Sequence, residues 1–155
     1  MKPEVILGDL LESDAQYICH QCNCITTRSA GTAFDIFNKF PYANIYKNRK
    51  EWDTVGTIKI CGNGKDQRYI INMLAQVYPG KSRYQDSYKD GFSARENYFQ
   101  KCLELIAEIK ELNSLAFPYR IGCNLAGGNW EHYYKMISDF ADKIEAKVYI
   151  YQLES

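Results

Sequence analysis

Apolar and polar positions along the chain alternate between short continuous apolar runs and longer stretches with a helical repeat. "EVIL" (4–7) and "QYICHQC" (16–22) read as strands, because runs of this length rich in β-branched and aromatic residues suit a pleated, buried surface. Ala33, Ile36, Phe37 and Phe40 then share one face of a helix that stops at Pro41, which has no N–H to continue it. "GTIKIC" (56–61) and "QRYIINMLAQ" (67–76) are strands around the turn "GNGKD". Ser93 with Glu96 predicts a capping box, followed by a long helix whose buried stripe is Tyr98, Cys102, Leu105, Ile109 and Leu112. "LAFPYRI" (115–121) reads as a strand and "KVYIYQL" (147–153) as a closing one. Between them Trp130, Tyr133, Tyr134, Ile137, Phe140 and Ile144 mark another helical stripe, with His132 on its outer side. The Tyr-, Lys- and Gly-rich segment 77–90 is a loop long enough to be functional or mobile. The alternation predicts an α/β fold, and no linker divides the chain, so residues 1–155 form a single domain.

Composition adds limits. A chain of 155 residues with 46% hydrophobic and 25% charged side chains suits one compact soluble unit, large enough to need no covalent staple. Nineteen Lys+Arg balance nineteen Asp+Glu, so nothing in the overall charge draws the chain to a polyanion or a membrane. The N-terminal apolar run is broken by Asp9 and Glu12, and no stretch approaches ~18 consecutive apolar residues, so a cytoplasmic location without a membrane span is expected. Cys19, Cys22 and Cys24 crowd with His20 into "YICHQCNC", yet the second ligand pair of a zinc site is missing. The thiols read as small buried hydrophobes, with no metal, disulfide or cofactor expected.

Two loops carry candidate chemistry. "IGCNLAGGN" runs from strand to helix, where backbone amides and a helix N-terminus form an anion site. Asn129 is placed to cap the helix opening at Trp130, leaving Gly127 and Gly128 to take positive φ and turn their N–H groups inward. The loop has neither the lysine of a nucleotide-triphosphate loop nor the dinucleotide glycine pattern, so those two classes lose support. "CHQCNCITTRSAG" likewise leaves a strand and enters a helix, bringing His20, Asn23, Arg28 and Gly31 to the same strand ends. Imidazole moves protons near neutrality or attacks phosphorus, and an arginine holds a phosphate through paired donors.

In order along the chain, "LGDL", "HQCNC" leading to "FPYANIY", and "IGCNLAGGNW" resemble the landmarks of the macrodomains, which bind ADP-ribose. The resemblance spans nearly the whole chain and is nearest to the branch with the terminal ADP-ribose protein glycohydrolase, phage and bacterial relatives, and the yeast ADP-ribose 1''-phosphate phosphatase. It implies a three-layer α/β/α sandwich with a central mixed sheet. It also implies that Asp9, with Leu10 beside it, meets adenine, and that Asn23 lies near the distal ribose. Ala30 and Gly31 with Gly122, Cys123, Asn124, Leu125, Ala126, Gly127 and Gly128 would clasp the diphosphate. The glycohydrolase lysine and aspartate are replaced by Gln76 and Ala126, while His20 aligns with the histidine of the yeast phosphatase. The leading expectation is a monomer that removes phosphate from ADP-ribose 1''-phosphate, with His20 catalytic and Arg28 holding the leaving group. The rivals are a non-catalytic reader of ADP-ribose or a related nucleotide, and a hydrolase releasing ADP-ribose from protein or nucleic acid. Nucleic acid would be a partner only when ADP-ribosylated.

Overall fold

Six apolar segments pair into one mixed sheet in the order β1-β6-β5-β2-β4-β3: β1 (Glu4–Leu7), β2 (Tyr17–Asn23), β3 (Thr57–Cys61), β4 (Tyr69–Gln76), β5 (Ser114–Pro118) and β6 (Lys147–Gln152). This computed structural model describes residues 2–82 and 88–154, so the middle of the expected 77–90 loop lies outside the described residues. All neighbours run parallel except β3 against β4, which are antiparallel. Parallel strands are covered on both faces. In β4, Ile70, Ile71, Met73, Leu74 and Ala75 are accordingly all fully buried.

Helices α1 (Gly31–Lys39), α2 (Phe92–Ala107) and α3 (Trp130–Lys143) supply the covers. Phe99, Cys102, Leu103 and Ile106 of α2 pack with Tyr133, Ile137 and Phe140 of α3 on Cys19, Ile71 and Met73 of the sheet. Ala33, Ile36 and Phe37 of α1 pack on the opposite face with Ile18, Cys22, Ile70 and Leu74. The result is the expected three-layer α/β/α sandwich. Five of the six thiols are buried within these layers and Cys61 is half-buried.

The sequence reading of α2 needs correction. Its N-cap is Gly91, with no side-chain capping bond, and Glu96 instead accepts from His132 Nδ1 at 2.9 Å. Ser93 therefore sits inside the helix, and no capping box forms. The buried stripe is Ala94, Arg95, Phe99, Cys102, Leu103 and Ile106, one step round from the expected face. Leu105 is exposed, and Ile109 and Leu112 lie beyond the helix end.

The topology creates a crevice. From β2 the chain passes through α1 toward β3 and β4, whereas from β5 it passes through α3 to β6, so connections leave these neighbours in opposite directions. Ligands of open α/β sheets bind at such a reversal, outside the carboxyl ends of the strands. The two strands pair at only Tyr17↔Leu115 and Ile18↔Ala116, after which β2 continues against β4 alone.

Candidate functional site

A cleft of about 210 Å³ opens where β2 and β5 part. One wall is the first loop, with Arg28, Ala30 and the opening turn of α1 from Gly31 to Ala33; the other is the segment from Pro118 to Ala126. Gln21, Gln76, Pro79 and Gly80 line its inner end. Ala30 is the N-cap of α1 and offers no side-chain bond, so the amides of Gly31, Thr32 and Ala33 keep the unpaired donors of a helix start. Across the cleft, the amides of Asn124, Leu125 and Ala126 have no acceptor among the described residues. The two rows meet at Gly31, whose φ is +59° and where an added Cβ would stand 2.9 Å from Leu125 Cδ1.

Gly127 and Gly128 do not take the inward-pointing role expected of them. Gly127 does have a positive φ of +76°, but its N–H donates to the Asn124 carbonyl at 3.2 Å. Gly128 lies outside the positive-φ set, and its N–H donates to the Gly122 carbonyl at 3.0 Å. These glycines fold the loop, and neither lines the cleft. Asn129 caps α3 as expected, accepting from the His132 amide at 3.4 Å.

Each wall is held from behind by a buried arginine. Arg49 donates to the carbonyls of Asn23 and Thr26, at 3.1 and 3.0 Å, while pairing with Asp53 at 2.9 Å. Arg95 binds Asp90 through two nitrogens at 3.1 and 2.7 Å and donates to the carbonyls of Gly80, Tyr78 and Ala126. Asp90 in turn accepts from the amides of Val77 and Tyr78. The sequence reading missed both arginines. Arg95 stands one turn before Phe99 on the true buried stripe, a signal visible only once that stripe is placed correctly.

His20 reaches the cleft floor but is 1% exposed, and its ring packs edge-on against Phe37 at 5.2 Å. Its Nε2 lies 2.6 Å from Asn72 Oδ1. The Asn72 amide nitrogen donates to the carbonyls of Lys59 and Ala43, which fixes its oxygen as an acceptor and puts the histidine proton on Nε2. Cys22 Sγ lies beside both ring nitrogens, 3.8 Å from the bare Nδ1 and 3.6 Å from Nε2, and its thiol is within donor reach of Asn72 Oδ1 at 3.7 Å. Burial lowers the His20 pKa to about 4, against an opposing contribution from the Asn72 bond. The imidazole is a neutral, bonded part of the core. The catalytic role expected of His20 would thus fall to a buried, neutral ring whose Nε2 proton is held by Asn72.

Asn23 also spends its carboxamide internally. Its oxygen accepts from the amides of Ile25 and Thr26, and its nitrogen donates to Thr26 Oγ1 and Tyr46 Oη. Cys123 is buried in the second wall, and burial raises its thiol to about 12, so it stays protonated. Asp9 and Leu10 do not line the cleft: Asp9 is exposed and caps a short turn by accepting from the Leu11 amide at 2.9 Å, while Leu10 is buried in the core beside α1. The cleft thus gathers His20, Asn23, Arg28, Ala30, Gly31 and the run from Gly122 to Ala126. Its described lining holds two permanent cations, Arg28 and Arg120, and no carboxylate.

No family model matches the chain. It is 25% identical over 143 residues, 90% of each chain, to an uncharacterized 17.5 kDa protein of the tk-vs intergenic region of Enterobacteria phage T4. Among solved structures it is similar to a protein of unknown function from Bacteroides thetaiotaomicron, with a TM-score of 0.75, 28% identity and 97% and 98% of the two chains covered. The macrodomain of Thermus aquaticus DarG gives a TM-score of 0.71 at 22% identity, covering 96% of this chain and 97% of that one. Thermosipho africanus DarTG in complex with ADP-ribose gives 0.72 at 19% identity, covering 97% of this chain and 42% of that one. The chain has the macrodomain fold.

Proposed function

We propose that the chain is an ADP-ribose-binding module whose cleft takes the diphosphate between the two rows of amides. The observation that carries this reading is the cleft's charge: two arginines and no carboxylate among its described lining, in a protein of zero net charge. Amide dipoles spread over a diphosphate, and two cations match its two negative charges. The likeness to a fold solved with ADP-ribose points the same way. Asp9, exposed beyond β1 with one carboxylate oxygen on Leu11, is in this reading the adenine contact at the sheet edge, and the ligand runs from there past β6 and β5 to β2.

A second reading is hydrolysis, with ADP-ribose 1''-phosphate as substrate. Arg28 supports it, because its exposed guanidinium lines the cleft and makes no bond among the described residues, leaving it open to a terminal phosphate. His20 gives it less support, since the ring is buried and its Nε2 proton is held by Asn72. Binding without catalysis is therefore the stronger reading. The test is to incubate the protein with ADP-ribose 1''-phosphate and with ADP-ribosylated protein and DNA, following phosphate and ADP-ribose release separately beside a calorimetric titration with ADP-ribose. Saturable binding without release establishes the reader, phosphate release establishes the second reading, and no binding to any of them sinks both.

A further inference from the structure

Arg120 has a φ of +63°, the left-handed region, in a turn closed by the Ile121 amide on the Pro118 carbonyl at 3.1 Å. In that region the Cβ of an L-residue crowds its own carbonyl, so glycine and asparagine are the usual occupants. Two other described residues besides glycine adopt a positive φ, Asn48 and Glu111, and neither lines the cleft. Arg120 does, with its side chain exposed and no hydrogen bond or ion pair to any described residue. Nothing within the described fold uses the guanidinium, although the backbone there would be easier for glycine. A strained backbone carrying an uncommitted cation at a cleft is a reason to look for a ligand contact.

The position along the sheet says which part of the ligand. Arg120 follows β5, which neighbours β6, and β6 neighbours β1, the strand that leads to Asp9. Arg28 follows β2 on the other side of the crevice. Resting on the proposed ADP-ribose reading, we infer that Arg120 holds the phosphate next to the adenosine, leaving Arg28 to the phosphate on the distal side. Arg120 is then a determinant of affinity for any adenosine 5'-phosphate, including ligands that lack the distal ribose.

The experiment titrates the parent, Arg120→Asn and Arg120→Lys with ADP-ribose and with AMP by calorimetry at low and high salt, and records melting temperatures. Asparagine accepts the left-handed backbone without the charge. Arg120→Asn should melt at or above the parent while binding both ligands about three- to tenfold more weakly, as for a lost charge-assisted contact near solvent. Raising the salt should narrow the gap between parent and variant. Arg120→Lys should keep part of the affinity. Parental affinity of Arg120→Asn for both ligands overturns the inference, as does a variant that melts well below the parent, which would make Arg120 a structural prop. A parent that binds neither ligand overturns the ADP-ribose reading itself, and this inference with it.

Discussion

Replacing Arg95 by methionine tests whether the second wall of the cleft depends on one buried cation. The guanidinium is 2% exposed, its partner Asp90 8%, and it makes two bonds to that carboxylate and three to main-chain carbonyls. Methionine fills much of the volume but takes two bonds from the carboxylate and one from each carbonyl of Gly80, Tyr78 and Ala126, of which Tyr78 and Gly80 keep Gln76 Nε2 at 2.8 and 3.4 Å. Removing one partner of a buried pair costs about 3 to 5 kcal/mol. Asp90 keeps the amides of Val77 and Tyr78, so the lower figure, about 3 kcal/mol, is expected. For a chain of this size that lowers Tm by roughly 6 to 12 °C. Urea unfolding followed by tryptophan fluorescence measures the loss. Lys135→Met serves as control, since its pair with Asp139 is 76% and 56% exposed and should shift stability by no more than about 0.5 kcal/mol. Adding Asp90→Asn should make the double variant cost less than the sum of the singles. If Arg95→Met loses under about 1 kcal/mol, or no more than the control, the pair does not hold the wall.

Two further predictions follow from the core and the loop. The folded-state pKa of His20, about 4, lies below its ordinary value of 6.5, so the unfolded chain binds more protons between those pH values and stability falls as pH drops from 6.5 toward 4. Compared with His20→Gln in urea unfolding at each pH, the parent should lose about 3 kcal/mol more between pH 7 and pH 4, and a constant difference would refute the neutral buried imidazole. Gly122 and Gly80 share a positive φ of +76° and +73°, but a Cβ at Gly122 would meet the Tyr133 ring at 2.6 Å while one at Gly80 meets nothing within 4 Å among the described residues. Gly80→Ala should therefore cost about 1 kcal/mol of backbone strain, and Gly122→Ala clearly more in the same denaturation assay; equal losses would contradict the packing described.

How far the chain could be read from its residues depended on what each segment packs against. The strands were legible because "YICHQCN" and "YIINMLAQ" are buried on both faces and so carry apolar residues at successive positions, interrupted by only a few polar ones. Helix α2 was placed one step out of register because Tyr98 and Leu105 offer a second apolar series, and because a charged residue, Arg95, occupies the buried face. The loops of the site announced themselves through glycine, yet glycine alone does not say which amides stay open. Gly127 and Gly128 close the loop on Asn124 and Gly122, and the open amides fall on Asn124, Leu125 and Ala126. The setting of His20 is tertiary: Asn72, fifty-two residues away, fixes the ring, and nothing local to "CHQC" foretells that bond.

Calorimetric titration of the parent with ADP-ribose decides whether the crevice between β2 and β5 is the diphosphate-ribose site proposed for it. One saturable site is expected, its affinity falling as salt screens Arg28 and Arg120, with a rise in Tm when ADP-ribose is in excess. No heat of binding and an unchanged Tm at millimolar ADP-ribose would contradict it.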